Sequence, residues 1–200
     1  MEIYLVRHTA VDIAKGVCYG QADIGVATTF LSEAAIIQQY LPTNITTVYS
    51  SPLKRCKKLA EHLCTAHSIS FENDLKEINC GSWEMQLWDN IPREEIAPWL
   101  EQRISTRIPN GESYEDVYDR VKDLFISLHK QAGTKVIFTH GGVIRSILAY
   151  LTATPLKDSF AAFPLHYGCV IKIFNQEGSL QHEVLSNIAV GKETHRPSYL

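Results

Sequence analysis

Short apolar runs alternate along the first third of the chain with segments in which apolar residues recur at helical spacing. Strand-like runs lie at residues 2–7 and 45–49, and helical patterns follow them at residues 30–41 and 53–67. The order strand, helix, strand, helix predicts parallel strands joined by helical crossovers. We therefore expect an α/β fold in which helices cover both faces of a mostly parallel sheet.

The clearest helical pattern begins at Ser113. Ser113 and Asp116 have the spacing of a capping box, in which two side chains satisfy free backbone N–H groups at a helix start. One apolar stripe then recurs at helical spacing: Tyr114, Val117, Val121, Leu124, Phe125 and Leu128. A stripe of this kind predicts a helix that packs against one face of the sheet.

The last third of the chain completes the predicted sheet. A strand is predicted at residues 135–139, and an apolar helix follows from about residue 143 to 151. Two further strand candidates, 169–174 and 181–185, flank the turn-forming residues 176–179, which predicts a hairpin. The predicted fold is a three-layer α/β/α domain, with a mostly parallel central sheet that carries an antiparallel edge strand.

Regular patterning breaks down between about residues 81 and 111, where all three tryptophans of the chain lie: Trp83, Trp88 and Trp99. Two interpretations stay open at this stage. The segment is either a lid-like wall of a substrate site, because specificity often resides on loops held by a rigid scaffold, or a helical insertion whose tryptophans pack on the body of the domain.

The composition is that of one globular domain spanning residues 1–200, with 45% hydrophobic and 20% charged residues. A formal net charge of -3 argues against nucleic-acid or membrane-surface binding, which normally requires a basic excess. No apolar run approaches the roughly 20 residues that span a bilayer, and the first residues do not have the pattern of a secretory signal. We expect a cytoplasmic protein.

The five cysteines are scattered and have no C-x-x-C spacing, which favours reduced thiols over disulfides. His62, Cys64 and His67 are close in the sequence, but they do not have the spacing of a zinc finger or a zincin. This spacing predicts no metal site, and we expect no cofactor.

Two histidines stand at the ends of predicted strands. His8 follows Arg7 at the end of the first strand, and His140 follows the strand at residues 135–139. In an open α/β sheet, ligands bind beyond the carboxyl ends of the strands, so these side chains are expected to share one site. Their residue types suggest a phosphate ligand.

Arg55 adds a second guanidinium to the candidate site. It lies in the predicted first turn of a helix, for which Ser51 is the expected N-cap and Pro52 the expected first residue. Free backbone N–H groups and the helix dipole attract anions at such a position, and a guanidinium binds phosphate oxygens in a bidentate manner. This helix start is therefore a predicted phosphate site.

Two more elements are suited to the same site. Gly141 and Gly142 follow His140 directly, and they would let the chain turn tightly and bring backbone N–H groups close to a ligand. Glu77 precedes a turn at Gly81, and from a shared crevice its carboxyl group could protonate a leaving oxygen. The sequence has none of the signatures of cysteine-based, aspartyl or P-loop phosphate chemistry.

Taken in order, these motifs resemble the histidine phosphatase superfamily, also called the phosphoglycerate-mutase-like family. The resemblance covers almost the whole chain, through stretches at 5–8 (Leu-Val-Arg-His), 51–55 (Ser-Pro-Leu-Lys-Arg), 77–84 (Glu-Ile-Asn-Cys-Gly-Ser-Trp-Glu), 110–113 (Asn-Gly-Glu-Ser) and 139–142 (Thr-His-Gly-Gly). It implies the fold of that family and a metal-free phosphoryl transfer through a phosphohistidine.

The resemblance also implies a role for each site residue. His8 would be the nucleophile, and Glu77 would be the general acid that protonates the leaving oxygen. The phosphoryl group would be held by a positively charged set: Arg7, Arg55 and His140. Further substrate contacts are expected from Gly20, Gln21 and Gly141.

The chain departs from the commonest family pattern at three places. Thr9 stands where the usual residue is glycine, and Ala14 stands where many members have a pocket asparagine. The Leu-Thr-x-x-Gly signature after the Gly20 region is missing.

Within the superfamily, the stretches 18–23, 81–84, 167–169 and 187–191 look most like alpha-ribazole phosphatases of the cobalamin pathway. A small aromatic pocket would suit the flat dimethylbenzimidazole of alpha-ribazole 5'-phosphate. Three alternatives stay open: a phosphoglycerate mutase, a broad-specificity sugar phosphatase, and a catalytically silent module that only binds phosphate. The expected partner is a small phosphomonoester, and the oligomeric state, monomer or homodimer, is not predicted.

Overall fold

In the computed structural model, which describes residues 1–188, six strands form one sheet. They are β1 (Glu2–Arg7), β2 (Thr47–Ser50), β3 (Ile69–Phe71), β4 (Thr134–Thr139), β5 (Val170–Gln176) and β6 (Ser179–Ser186). Their order is β3-β2-β4-β1-β5-β6; the first four are parallel, whereas β5 runs antiparallel to both β1 and β6. The short β3 was not predicted, and residues 189–191 of the stretch 187–191 lie outside the described residues.

The two central strands, β1 and β4, carry predicted site residues to one edge of the sheet. All of β4 is buried, as is β1 from Ile3 onward, and coverage on both faces explains why these strands are continuous apolar runs. Arg7 pairs with Thr139 in the parallel register, and the N–H of His8 donates to the Thr139 carbonyl at 3.0 Å. His8 and His140 therefore leave neighbouring strands at the same edge.

Helices cover both faces of this sheet, as predicted. They are α1 (Phe30–Gln38), α2 (Lys54–Leu63), α3 (Arg93–Glu101), α4 (Tyr114–His129), α5 (Gly141–Thr152) and α6 (Ser159–Ala162). Ile3 and Leu5 pack in one core with α4 and α5, whereas Tyr4 and Val6 pack in a second core with α1 and α2. Because successive side chains of a strand point to opposite faces, this alternation produces the three predicted layers. In residues 1–188, no helix has the length and apolar character needed to cross a membrane.

Two predicted local features are confirmed. Ser113 caps α4, because its Oγ accepts from the N–H of Asp116 at 3.2 Å while its own N–H donates to the Asp116 carboxylate at 2.8 Å. The hairpin between β5 and β6 turns at Glu177 and Gly178, whose φ values of 53° and 85° are those that a two-residue type I′ turn requires.

The predicted start of α2 is wrong. Ser51 is not the N-cap and Pro52 is not the first helical residue, because α2 begins two residues later with Leu53 as its extended N-cap. The Ser51 hydroxyl accepts from the N–H of Leu53 at 3.3 Å and also lies 2.8 Å from Nε2 of His140. The N–H of Ser51 donates to the carbonyl of Phe138 at 2.9 Å, so Ser51 stays beside β4 and outside the helix, while Arg55 still lies in the first turn of α2.

The segment at residues 81–111 forms α3 and short helical turns around a third core. The ring of Trp83 lies 5.7 Å from that of Trp99 and 6.3 Å from that of Trp88, and the rings of Trp88 and Trp99 stack at 5.9 Å. Trp83 is buried, and its indole N–H donates to Glu95 at 3.0 Å. The three tryptophans thus pack against one another and hold the segment together.

Candidate active site

A cavity of about 190 Å³ opens where β1 ends and α5 begins. Its wall includes four of the predicted site residues, which come from three separate parts of the chain: Arg7, His8, Arg55 and Glu77. Gly142, at the start of α5, also lies in the wall. The fold therefore brings together a candidate nucleophile, two guanidinium groups and a carboxyl group around one space.

The contacts of His8 define which of its ring nitrogens carries the lone pair. Nδ1 lies 2.7 Å from the carbonyl oxygen of Thr9, which can only accept a hydrogen bond. The proton of the neutral ring is therefore on Nδ1, and Nε2 is the basic nitrogen. The ring is 2% exposed and lies 5.1 Å from the ring of His140 and 5.4 Å from that of Tyr167, so its orientation is held by packing.

Arg7 and Arg55 are both buried and both anchored by carbonyl groups. Nη1 of Arg7 donates to the Leu165 carbonyl at 2.8 Å, and the guanidinium lies 4.3 Å from the ring centroid of Tyr167. Arg55 donates through Nη1 to the carbonyl of Ala22 at 2.9 Å. Since an arginine stays ionised in proteins, the wall has two fixed positive charges.

His140 lies behind the wall and is neutral. Its Nδ1 accepts from Nε of Arg55 at 3.3 Å, so the proton is on Nε2 and points to the hydroxyl of Ser51 at 2.8 Å. Complete burial, followed by the charge of Arg55, lowers the pKa of His140 well below its usual value of 6.5. Burial and the surrounding cations thus disfavour protonation of His140, whereas the family resemblance implied that it adds a positive charge. The cavity wall is formed by other residues.

Glu77 is held at the N-terminus of α5. Its Oε2 accepts from the N–H of Gly142 at 3.1 Å, and its Oε1 accepts from the N–H of Ile78 at the same distance. A β-carbon at Gly142 would overlap Oε1 of Glu77, so this position of the carboxyl group requires glycine. At Gly141, in contrast, a β-carbon would lie 3.3 Å from the guanidinium groups of Arg7 and Arg145.

Three residues predicted to contact substrate lie behind the cavity wall in this structure: Gly20, Gln21 and Gly141. The N–H groups of Gly20 and Gln21 donate to the Glu84 carboxylate, and the Gln21 side chain donates to the backbone carbonyl of Glu77 at 3.0 Å. Their backbone amides are thus bound to protein groups. Gly142 lines the cavity, whereas the sequence predicted that Gly141 would do so.

Trp88 and Trp99 lie in the wall, as one of the two interpretations of their segment expected. The wall also contains residues that the sequence did not indicate for the site: Tyr19, Arg103, Tyr114, Arg145 and Phe160. The sequence carried a signal for Arg145, which is a charged residue in an otherwise apolar helix and lies four residues after Gly141. Arg103 comes from the irregular segment and carried no such signal. Burial raises the pKa of Tyr114, whose hydroxyl donates to the carbonyl of Gly142 at 3.1 Å.

Arg103 and Arg145 meet at one aromatic ring. The guanidinium carbon of Arg103 lies 4.2 Å from the ring centroid of Phe160, and that of Arg145 lies 5.2 Å from it. Nε of Arg145 also donates to the carbonyl of Phe163 at 3.1 Å. These two cations, in addition to Arg7 and Arg55, make the cavity suited to an anion that also has an apolar part.

The described part of the chain contains no cluster of three or more His, Cys, Asp or Glu side chains with the geometry of a metal site. The His62, Cys64 and His67 group is thus not assembled as a ligand set. The positive charges around the cavity come from four arginine side chains: Arg7, Arg55, Arg103 and Arg145.

Comparisons with known proteins give a family model, similar folds and a distant relative. The family model described as Histidine phosphatase superfamily (branch 1) matches residues 3–188. The fold is similar to the crystal structure of alpha-ribazole phosphatase from Shigella flexneri, with a TM-score of 0.82, 22% identity, and coverage of 96% of this chain and 100% of that one. It is also similar to a mycobacterial glucosyl-3-phosphoglycerate phosphatase, with a TM-score of 0.78, 21% identity, and coverage of 92% and 97%.

One curated relative is much longer than this chain. The 6-phosphofructo-2-kinase/fructose-2,6-bisphosphatase of Arabidopsis thaliana is 26% identical over 172 residues, which cover 82% of this chain and 23% of the relative. The chain therefore spans about a quarter of the length of that relative.

Proposed function

Because the chain belongs to the histidine phosphatase superfamily, we propose that it is a phosphomonoester hydrolase that works through a phosphohistidine on His8. The observation that carries this proposal is the arrangement of the cavity wall. There, Nε2 of His8 is the basic ring nitrogen, and Arg7, Arg55 and Glu77 share the same space. These are a nucleophile, two cations for a transferring phosphoryl group and one acid.

The reaction takes place in two steps. In the first step, Nε2 of His8 forms a bond to phosphorus while the ester P–O bond breaks, and the leaving oxygen takes a proton from Glu77 and departs as an alcohol. In the second step, the Glu77 carboxylate takes a proton from water, whose oxygen attacks phosphorus as the P–N bond breaks. Inorganic phosphate leaves, and both His8 and Glu77 return to their initial states.

The arginines and His140 have different tasks in this mechanism. Arg7 and Arg55 bind the oxygens of the phosphoryl group, and their fixed positions stabilise the charge that these oxygens carry in the transition state. The neutral His140 does not add charge; it packs against His8 and accepts from Nε of Arg55, so it positions both side chains.

The substrate that we propose is alpha-ribazole 5'-phosphate. The stacked rings of Trp88 and Trp99, with Ile78 and Ile108 beside them, form an apolar part of the wall that suits a flat benzimidazole. The similarity to the alpha-ribazole phosphatase from Shigella flexneri supports this choice. The enzyme would then act in cobalamin biosynthesis.

A second candidate is the hydrolysis of a phosphomonoester that has another anionic group, such as a phosphoglycerate or a sugar bisphosphate. The observation that favours it is the presence of Arg103 and Arg145 in the wall, in addition to the two arginines beside His8. An uncharged ribazole would leave these two cations without an ionic partner on the substrate. A phosphoglycerate mutase belongs to the same candidate group and would transfer the phosphoryl group to a second hydroxyl.

The proposal is tested by comparing kcat/KM for alpha-ribazole 5'-phosphate, 3-phosphoglycerate, fructose 2,6-bisphosphate and p-nitrophenyl phosphate. We expect the highest value for alpha-ribazole 5'-phosphate and little change in it for Arg103→Gln or Arg145→Gln. A preference for a doubly anionic substrate that both variants reduce by about tenfold or more would favour the second candidate. The control is Arg93→Gln, because Arg93 is an exposed arginine in the same 81–111 segment as Arg103.

Two outcomes would identify the remaining alternatives. Transfer of the phosphoryl group to a phosphoglycerate hydroxyl in preference to water would identify a mutase. A protein that binds inorganic phosphate but releases no product from any of these esters would be a silent binding module, and it would overturn the proposal. The joint presence of His8 and Glu77 at the cavity argues against that module, because phosphate binding alone requires neither a nucleophile nor an acid.

A further inference from the structure

The Glu84 carboxylate is surrounded by backbone N–H groups. Oε2 accepts from Gly20 at 3.0 Å and from Ala22 at 3.1 Å, and Oε1 accepts from Gln21 at 2.7 Å and from Cys80 at 3.0 Å. Three of these donors are consecutive, so the backbone at residues 20–22 forms an anion-binding concavity that is filled by a side chain of the protein.

The carbonyl groups of the same loop bind Arg55. Nη2 of Arg55 donates to the carbonyl of Gly20 at 2.5 Å, and Nη1 donates to the carbonyl of Ala22 at 2.9 Å. The loop at residues 20–22 therefore lies between an anion and a cation, with its N–H groups toward Glu84 and two of its carbonyl groups toward Arg55. Hydrogen bonds arranged in such a chain polarise and strengthen one another.

Arg55 depends on these contacts for its position. Its guanidinium is fully buried in the first turn of α2, and the third partner that the structure gives it is the neutral Nδ1 of His140. A buried guanidinium needs hydrogen-bond acceptors, and a mobile loop would supply them poorly. Whatever fixes the carbonyl groups of residues 20–22 also fixes the angle at which Arg55 meets a phosphoryl group.

We propose that Glu84 is a positioning residue for phosphoryl binding, which acts on Arg55 through the backbone of residues 20–22. Glu84 does not lie in the cavity wall, so it has no direct contact with the substrate. This inference rests on the proposed function, because it assigns Arg55 to the phosphoryl group.

The chemistry of the site requires a carboxylate at Glu84. Each of its two oxygens accepts hydrogen bonds from two backbone N–H groups. A glutamine would place its own NH₂ donor against two of these four N–H groups. Glu84→Gln therefore removes the charge, one acceptor oxygen and the two hydrogen bonds that this oxygen accepts, at nearly constant volume. A matched control is Glu95→Gln, because Glu95 lies in the same segment at residues 81–111 and accepts its hydrogen bond from Trp83 instead of from the loop at 20–22.

The experiment measures the affinity for inorganic phosphate and for orthovanadate by calorimetry, and kcat and KM for p-nitrophenyl phosphate. We expect Glu84→Gln to weaken oxyanion binding and to lower kcat/KM by about tenfold or more, while Glu95→Gln stays within about twofold of the wild type. In a double-mutant cycle with Arg55→Lys, the second substitution should add little, because both changes remove the same interaction.

Glu84→Ala gives an independent readout that a merely structural role would not produce. It leaves the four amides without their acceptor, and a small carboxylate such as formate can fill the space. Added formate should restore oxyanion affinity and kcat/KM in Glu84→Ala, but not in Arg55→Lys.

The proposal is overturned if Glu84→Gln keeps its affinity for oxyanions. It is also overturned if the losses of oxyanion affinity in Glu84→Gln and Arg55→Lys add independently in the double variant. A folded Glu84→Ala that formate does not rescue would overturn it as well. Should Glu84→Gln not fold, the formate dependence of Glu84→Ala decides the matter. Oxyanion binding requires no turnover, so an absence of hydrolysis in the wild type would contradict the proposed function without deciding the role of Glu84.

Discussion

The backbone N–H of Gly142 donates to Oε2 of Glu77 at 3.1 Å, and the other oxygen of Glu77 occupies the space in which a side chain at Gly142 would begin. The helix start of α5 therefore both binds the carboxyl group and leaves room for it. The φ of Gly142 is not in the positive range, so backbone conformation does not require glycine here. Glycine is required because the carboxyl group of Glu77 approaches so closely.

Gly142→Ala should displace the carboxyl group of Glu77 and reduce general acid catalysis. We expect kcat for alkyl phosphates to fall by about 100-fold, within the range that such catalysis usually contributes, and kcat for p-nitrophenyl phosphate to fall much less. Gly25→Ala is the control, because a β-carbon at Gly25 would meet no atom within 4 Å. An equal loss for both kinds of ester would contradict this role of Gly142.

His8→Ala should abolish turnover and the acid-labile labelling of the protein by a radioactive phosphomonoester. The reason is that the substitution removes the nitrogen on which the phosphoryl group is held. Rapid-quench labelling measures the intermediate directly, and His62→Ala, at an exposed position of α2, is the control. Near-normal activity in His8→Ala would refute the assignment of the nucleophile.

Glu77→Gln should slow the departure of the alcohol most for poor leaving groups, because glutamine cannot donate a proton to the leaving oxygen. A series of aryl and alkyl phosphates should therefore show a steeper dependence of kcat/KM on the pKa of the leaving alcohol in the variant than in the wild type. Parallel plots for the two proteins would exclude Glu77 as the acid.

His140 should make the stability of the protein depend on pH. Its pKa in the folded state lies well below 6.5 because of burial and of the charge of Arg55. Below a pH of about 6.5, the unfolded chain binds a proton at this histidine that the folded chain does not, so the free energy of unfolding decreases as the pH falls. The contribution of one such group is at most about 1.4 kcal/mol per pH unit.

Urea unfolding between pH 7.5 and pH 5 measures this dependence. We expect His140→Gln to be less stable than the wild type at pH 7.5, because its contacts with Arg55 and Ser51 are altered, but to lose less stability as the pH falls. Equal slopes for the two proteins would show that His140 isn't the group responsible.

The elements that local patterns specify agree with the sequence analysis. The helix that Ser113 caps and the turn at Glu177 and Gly178 are set by neighbours within a few residues, and both form as predicted. The helix start at Ser51 was wrong for the opposite reason, because the N–H of Ser51 donates to the distant carbonyl of Phe138 on β4 and holds the residue outside the helix. Local capping rules do not include such a contact.

The sequence by itself determined the α/β layering, the family and the residue types that phosphate chemistry needs, because periodicity, strand ends and motif order are properties of the linear chain. Only the tertiary structure decided the protonation of His140, the cations Arg103 and Arg145 in the cavity, and the link from Glu84 to Arg55. These depend on burial and on distances between residues far apart in sequence, and burial and distance together set the pKa of a group and the acceptors that a cation can reach.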